Sequence, residues 1–198
     1  MDNMSQNILI PMFPLNLLPL PGELVPLHIF EPRYKQLLQD AENHDIAFGI
    51  FFSHEINEKR IGSLIKLESV IKRYPTGESD IVVKCTDLFT MDHLYDTFKN
   101  KLYPGGDVKL WNADISLIPE AGLYELFTQY LLHRNISHPF TAFDLYQIAN
   151  ELNLSLADRY RFVTCPHDKK EKFLMTQLNY QLHLIKQEEK SKDVFHLN

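Results

Sequence analysis

Glycine is scarce in this 198-residue chain, with seven in all. None of them stands in the G-x-x-x-x-G-K-S/T spacing that cradles nucleotide phosphates on backbone N–H groups, so the chain has no ATP-binding loop of that kind. A G-x-S-x-G nucleophile elbow is also missing. Cysteine occurs twice, at Cys85 and Cys165, with no paired spacing; this suits a reducing compartment better than a disulfide framework. No stretch reaches the ~18 consecutive apolar residues of a membrane helix. Residues 1–7 carry no basic group, so the apolar run behind them makes a poor signal peptide, and the expected location is the cytoplasm. Lys and Arg number 20 against 26 Asp and Glu, a net charge of −6. That balance argues against a nucleic-acid partner, because neutralising phosphates takes clustered cations.

What is present fits a globular protein: 44% hydrophobic and 23% charged residues, in a chain long enough for one domain with a closely packed extension. The run from Ile8 to Tyr34 is nearly uncharged and holds five prolines between positions 11 and 26. Proline cannot donate to a strand ladder, so each one confines its segment to a strand start, an edge, a bulge or a loop. The pattern predicts a strand near 8–15, a crossover through 16–22, a second strand near 24–28, and a helix opened by Glu31-Pro32.

Downstream, Tyr34, Leu37, Leu38 and Ala41 share a helical face. Residues 46–52 form a short apolar run predicting a buried strand, with Gly49 marking a bulge or a close backbone approach. Strands are expected at 61–74, 80–85 and 107–115, with a turn at 74–78. Beyond Pro119 the period changes. Leu123, Leu126, Phe127, Tyr130 and Leu131 fall at i, i+3, i+4, i+7, i+8. Thr141 with Asp144, and Ser155 with Asp158, look like capping boxes opening two further helices. Leu174, Leu178, Leu182 and Ile185 mark a last long helix to about residue 186, followed by a polar tail expected to fray.

The proline-rich run resembles the opening of the Lon N-terminal, substrate-binding domain of Lon-type ATP-dependent proteases. Phe13-Pro14-Leu15, Leu20-Pro21-Gly22, Val25-Pro26-Leu27 and Ile29-Phe30-Glu31-Pro32-Arg33-Tyr34 fill its pattern, with Leu20 where phenylalanine is usual. Ile61-Gly62-Ser63, Thr76-Gly77-Glu78 and Cys85-Thr86-Asp87-Leu88-Phe89 continue it, with Cys85 replacing a glycine and Leu88 an arginine. Ile148-Ala149, Leu152, Leu154-Ser155 and Arg159 match its helical end, so the likeness spans about 8–187. It implies an α+β fold: an N-terminal PUA-like β pseudo-barrel with one helix over 1–117, then a C-terminal helical bundle over 118–198. No ATPase or Ser/Lys peptidase domain accompanies it in this chain.

The function this implies is a non-enzymatic binding module without cofactor or metal, capturing exposed apolar segments of unfolded polypeptides or acting as an adaptor beside a protease partner. Thirteen Phe and nine Tyr supply apolar surface, most of it core. The residues expected to face a ligand are those in loops: Leu17, Leu18, Leu20, Phe30 and Tyr74. The alternative is RNA binding through the β part, for which Lys66, Lys72, Arg73 and Lys84 are the one cationic cluster. Two other readings are weaker. Cys165 with His167, and His133 with His138, fall short of a zinc signature. A helix-turn-helix at Ile148–Arg161 is opposed by Asp158 and the acidic chain.

Overall fold

The structure, a computed structural model, describes residues 7–137 and 142–195, with side chains to residue 188. The chain forms two compact units, residues 1–114 and 115–198. The fold is α+β, with all six described strands in the first unit and four of the five described helices in the second.

The first unit runs β1 (Ile8–Leu15), β2 (Leu24–Ile29), α1 (Pro32–His44), β3 (Phe48–Phe52), β4 (Ile61–Arg73), β5 (Ser79–Tyr95) and β6 (Gly105–Leu110). Sheet order is β2-β5-β4-β3-β1-β6, and a further β5–β6 pairing closes the last five into a ring. β1 and β3 are parallel and all other pairs antiparallel. Inside the ring pack Ile10, Met12, Phe89, Met91 and Val108. Gly49 fits there because a Cβ would lie 2.7 Å from Met12 Sδ; its place in β3 reflects close approach. A second core, with Phe13, Ile29, Tyr34, Leu37, Leu38, Ile65, Ile81 and Val83, joins α1 to the sheet.

Two strands differ most from the sequence expectation. β5 has 17 residues where six were expected, because it serves two neighbourhoods. Its first half pairs with β2 and its second with β6, and the bulge between Leu64/Ile65 and Asp87/Cys85 bends it between them. β6 ends at Leu110, short of the expected 115, because Asn112 takes a left-handed φ of 49°. The Asp87 carboxylate then accepts the N–H groups of Asn112 (3.0 Å) and Ala113 (2.9 Å), which a ladder would otherwise use.

The second unit comprises α2 (Ala121–His133), α3 (Leu145–Glu151), α4 (Leu156–Thr164) and α5 (His167–Phe195). Leu123, Phe127, Tyr130 and Leu131 of α2 are buried, as are Leu174, Leu178, Leu182 and Ile185 of α5. The cap of α3 is Asp144 with Gln147, a reciprocal pair at 2.8 and 2.9 Å. The expected box begun by Thr141 lies outside the described residues. Ser155 caps α4 as expected, accepting from the Asp158 N–H. Helix α5 continues to Phe195, past the expected end near 186. The Glu- and Lys-rich segment there consists of good helix formers, and propensity outweighs the lack of an apolar stripe.

Candidate functional site

A cleft of about 220 Å³ opens where β1 and β2 both end. One wall comes from β1 and the chain leaving it (Phe13, Leu15, Leu17), the other from the end of β2 (Leu27, His28, Ile29) and the entry to α1 (Phe30, Glu31, Tyr34). Local sequence dictates each piece. Alternation along β2 turns Val25, Leu27 and Ile29 inward and leaves Leu24, Pro26 and His28 exposed. Pro32 stops β2 and starts α1, so Phe30 lies just before the helix N-cap, 58% exposed. Tyr34 turns back onto Phe13 with ring centroids 3.8 Å apart, and burial pushes its hydroxyl up from the ordinary tyrosine range.

A polar rim borders the cleft. His28 Nδ1 lies 2.6 Å from Asp80 Oδ1, and the Tyr74 hydroxyl donates to Asp80 Oδ2 at 2.7 Å. The bonds from Tyr74 and His28 hold the Asp80 carboxyl below the usual carboxylate range, and the bond to Asp80 raises the Tyr74 phenol. The rings of Phe30 and Tyr74 each lie 5.9 Å from that of His28, one stacked and one edge-on. This is a scaffold for an apolar opening. It has no arrangement of nucleophile, base and oxyanion donors.

Of the residues expected to face a ligand, Tyr74 meets the rim of the cleft through His28, and Leu17 and Phe30 line the cleft itself. Leu18 and Leu20 do not. They are 1% and 0% exposed and belong to the core. The expectation that they stay exposed rests on prolines barring the crossover from a ladder, yet tertiary bonds satisfy its backbone instead. Ser63 Oγ donates to Pro19 O (2.6 Å), the Gly22 N–H to Cys85 O (2.9 Å) and the Leu20 N–H to Glu23 Oε2 (2.9 Å). With its backbone satisfied, the segment can bury both leucines. Leu15 and Leu27 are cleft residues that the loop criterion missed. The period-2 pattern of β2 was the signal that would have found Leu27.

The two departures from the family pattern have structural accommodations. Leu88 is fully buried, and the loop-tying role open to an arginine falls to Asp87, which holds residues 112 and 113. The Cys85 thiol is buried between Pro19 O (3.5 Å) and Asp87 O (3.4 Å), and burial pushes its pKa far up. A thiol so placed is a packing group. The cationic cluster is largely spent locally: Lys66 pairs with Asp45 at 2.9 Å, Arg73 with Glu42, and Lys72 covers the Tyr74 ring at 4.4 Å. Among the described residues no three His, Cys, Asp or Glu side chains come together as metal ligands, and His138 lies outside them. In the helical unit Arg159 donates to Leu154 O and Arg161 lies 3.8 Å from Asp158.

Comparison with known proteins agrees with this fold. The family model of the ATP-dependent protease La (LON) substrate-binding domain matches residues 9–192, and the chain belongs to that family. Among solved structures the chain is similar to a Lon N-terminal domain protein from Xanthomonas campestris, with TM-score 0.64 and 21% identity over 84% of this chain and 97% of that one. It is also similar to the N-terminal domain of a Mycobacterium avium complex Lon protease, with TM-score 0.63 and 15% identity over 87% and 98%. No curated protein matches the sequence. The matched domain is a substrate-binding, non-catalytic one. No helix among the described residues is long and apolar enough to cross a membrane.

Proposed function

We propose that this protein captures exposed apolar segments of unfolded polypeptides in the cleft at the ends of β1 and β2, and presents them to a separate protease in the cytoplasm. The observation that carries the reading is the cleft itself: apolar walls built by Leu15, Leu17, Leu27 and Phe30, open to solvent, in a family defined by substrate binding. Apolar cavities of about 150 Å³ take up a benzene ring. A 220 Å³ cleft thus has room for one large apolar side chain, with Phe30 and Leu17 closing over it.

Burying ~300–400 Å² of apolar ligand surface releases roughly 8–10 kcal/mol gross. Ordering and association consume most of that, leaving micromolar affinity, which suits a module that must release what it catches. The purified protein is expected to hydrolyse neither ATP nor casein, which an ATPase and a caseinolysis assay check. Binding of fluorescently labelled, unfolded casein tests the reading. Wild-type protein should bind with micromolar Kd, and Phe30→Ser should weaken binding tenfold or more with Tm unchanged. Binding that survives both Phe30→Ser and Leu17→Ser would place capture elsewhere. RNA binding is not favoured, because three of the four cations it would use, Lys66, Lys72 and Arg73, already have carboxylate or ring partners.

A further inference from the structure

The cleft lies beside an unpaired strand edge. β2 pairs with β5 alone and is the terminal member of the sheet order. Which of its backbone groups point outward follows from the ladder. The Cys85 N–H donates to Glu23 O, and bonded and non-bonded positions alternate along an antiparallel pair. Counting on from there, Val25, Leu27 and Ile29 bond to Val83, Ile81 and Ser79, their register partners. Leu24, Pro26 and His28 turn their backbone groups the other way. Pro26 checks the count, since a residue without an N–H belongs at a position the ladder does not use. Among the described residues no backbone partner meets these outward groups.

The edge thus offers the N–H groups of Leu24 and His28 and the carbonyls of Leu24, Pro26 and His28, next to a cleft partly lined by Leu27 and Ile29. Extended polypeptide is the chemistry that satisfies both features. A free edge row of N–H and C=O groups is matched by another backbone, and a strand laid there sends alternate side chains to the face that Leu27 and Ile29 occupy. The geometry points to β-strand addition: the captured segment binds extended along β2, hydrogen-bonded to Leu24 and His28, with one large apolar side chain in the cleft. Affinity then comes from main-chain bonds common to every sequence, and selection from a single apolar residue at alternating spacing. Folded proteins and helical segments, whose backbone groups are already paired, are excluded.

This inference rests on the apolar-capture reading, and one experiment separates the two. Backbone amide exchange is followed by NMR in the whole chain, with and without saturating unfolded casein, alongside the side-chain resonances of Leu17 and Phe30. Strand addition predicts that the Leu24 and His28 amides exchange at least tenfold more slowly with casein bound, while those of Val25 and Leu27, already in the ladder, change little. Perturbed Leu17 and Phe30 resonances with unprotected Leu24 and His28 amides would overturn strand addition and leave apolar capture standing. No perturbation at either set would overturn both.

Discussion

Strands β6 and β2 both pair with β5, one with its second half and the other with its first, but only β6 has another neighbour. By pairing also with β1, β6 closes five strands into a ring with no edge around a buried core. β2 has no such partner, its inward residues Val25 and Leu27 are only half-buried, and the cleft opens beside it. Closure consumes the backbone and apolar groups of a strand, and lack of closure leaves both available. The closed part of the sheet and the part proposed to bind therefore differ in pairing more than in composition.

The largest effect should come from the closed side. Leu18 is adjacent to Leu17 but fully buried, so Leu18→Ala opens a core cavity worth ~2–5 kcal/mol in a denaturant titration. Leu17→Ala, at a half-buried cleft position, should cost clearly less. Equal losses at the two sites would erase the distinction between crossover core and cleft wall.

Next comes the anchor of α1, which supplies the Tyr34 wall of the cleft. The buried Asp40 accepts from the Tyr103 hydroxyl at 2.7 Å and from Lys101 Nζ at 3.0 Å. Burial alone would raise its carboxyl, but these two bonds outweigh that and hold it below the ordinary carboxylate value. A carboxyl lowered on folding stabilises the protein above its unfolded pKa of about 4, and that contribution is lost as pH falls through the folded value. Asp40→Asn should therefore cost ~1–3 kcal/mol at neutral pH and flatten the loss of stability below about pH 4. An unchanged acid limb in the variant would mean that other carboxylates carry it.

On the open side the effects should be on binding. Phe30 is mostly exposed, so Phe30→Ser should leave Tm within a few degrees and weaken casein binding tenfold or more, about 1.4 kcal/mol. A variant that both unfolds and fails to bind would put Phe30 in the core and dissolve the contrast between the two edges.

These contrasts also show what the sequence could and could not reveal. Element types were legible because period and proline placement act locally: β1, β2, α1 and the helical stripe from Leu123 follow directly from spacing. The length of β5 was not, since its second half is held by pairing with β6, a partner fixed only by the ring. The end of β6 was hidden for a similar reason, depending on a carboxylate at Asp87 that is 25 residues away from Asn112 in sequence. Within the site, Leu17 and Phe30 were legible as apolar residues on irregular backbone. Leu18 and Leu20 met the same criterion and are core, because Ser63 and Cys85 bind the crossover from a distance. Loop residence predicts exposure only where no remote partner satisfies the loop backbone.

The smallest effect is expected in the helical unit, which has a larger cleft of about 340 Å³. Size favours it as a binding site and its chemistry does not. His167, Asp168, Glu171 and Lys172 line it beside Ile118 and Met175, and Glu171 already accepts the Glu120 N–H at the start of α2 at 3.1 Å. A charged lining keeps its water, so an apolar side chain entering there would gain little and strip hydration from the carboxylates. Ile118, 74% exposed, is a single surface residue of the kind that needs no partner. Ile118→Ser with Met175→Ser should thus change casein affinity by less than twofold, in the assay where Phe30→Ser costs tenfold. A tenfold loss from the helical pair would show that volume outranks wall chemistry here, and would move the capture site to the second unit.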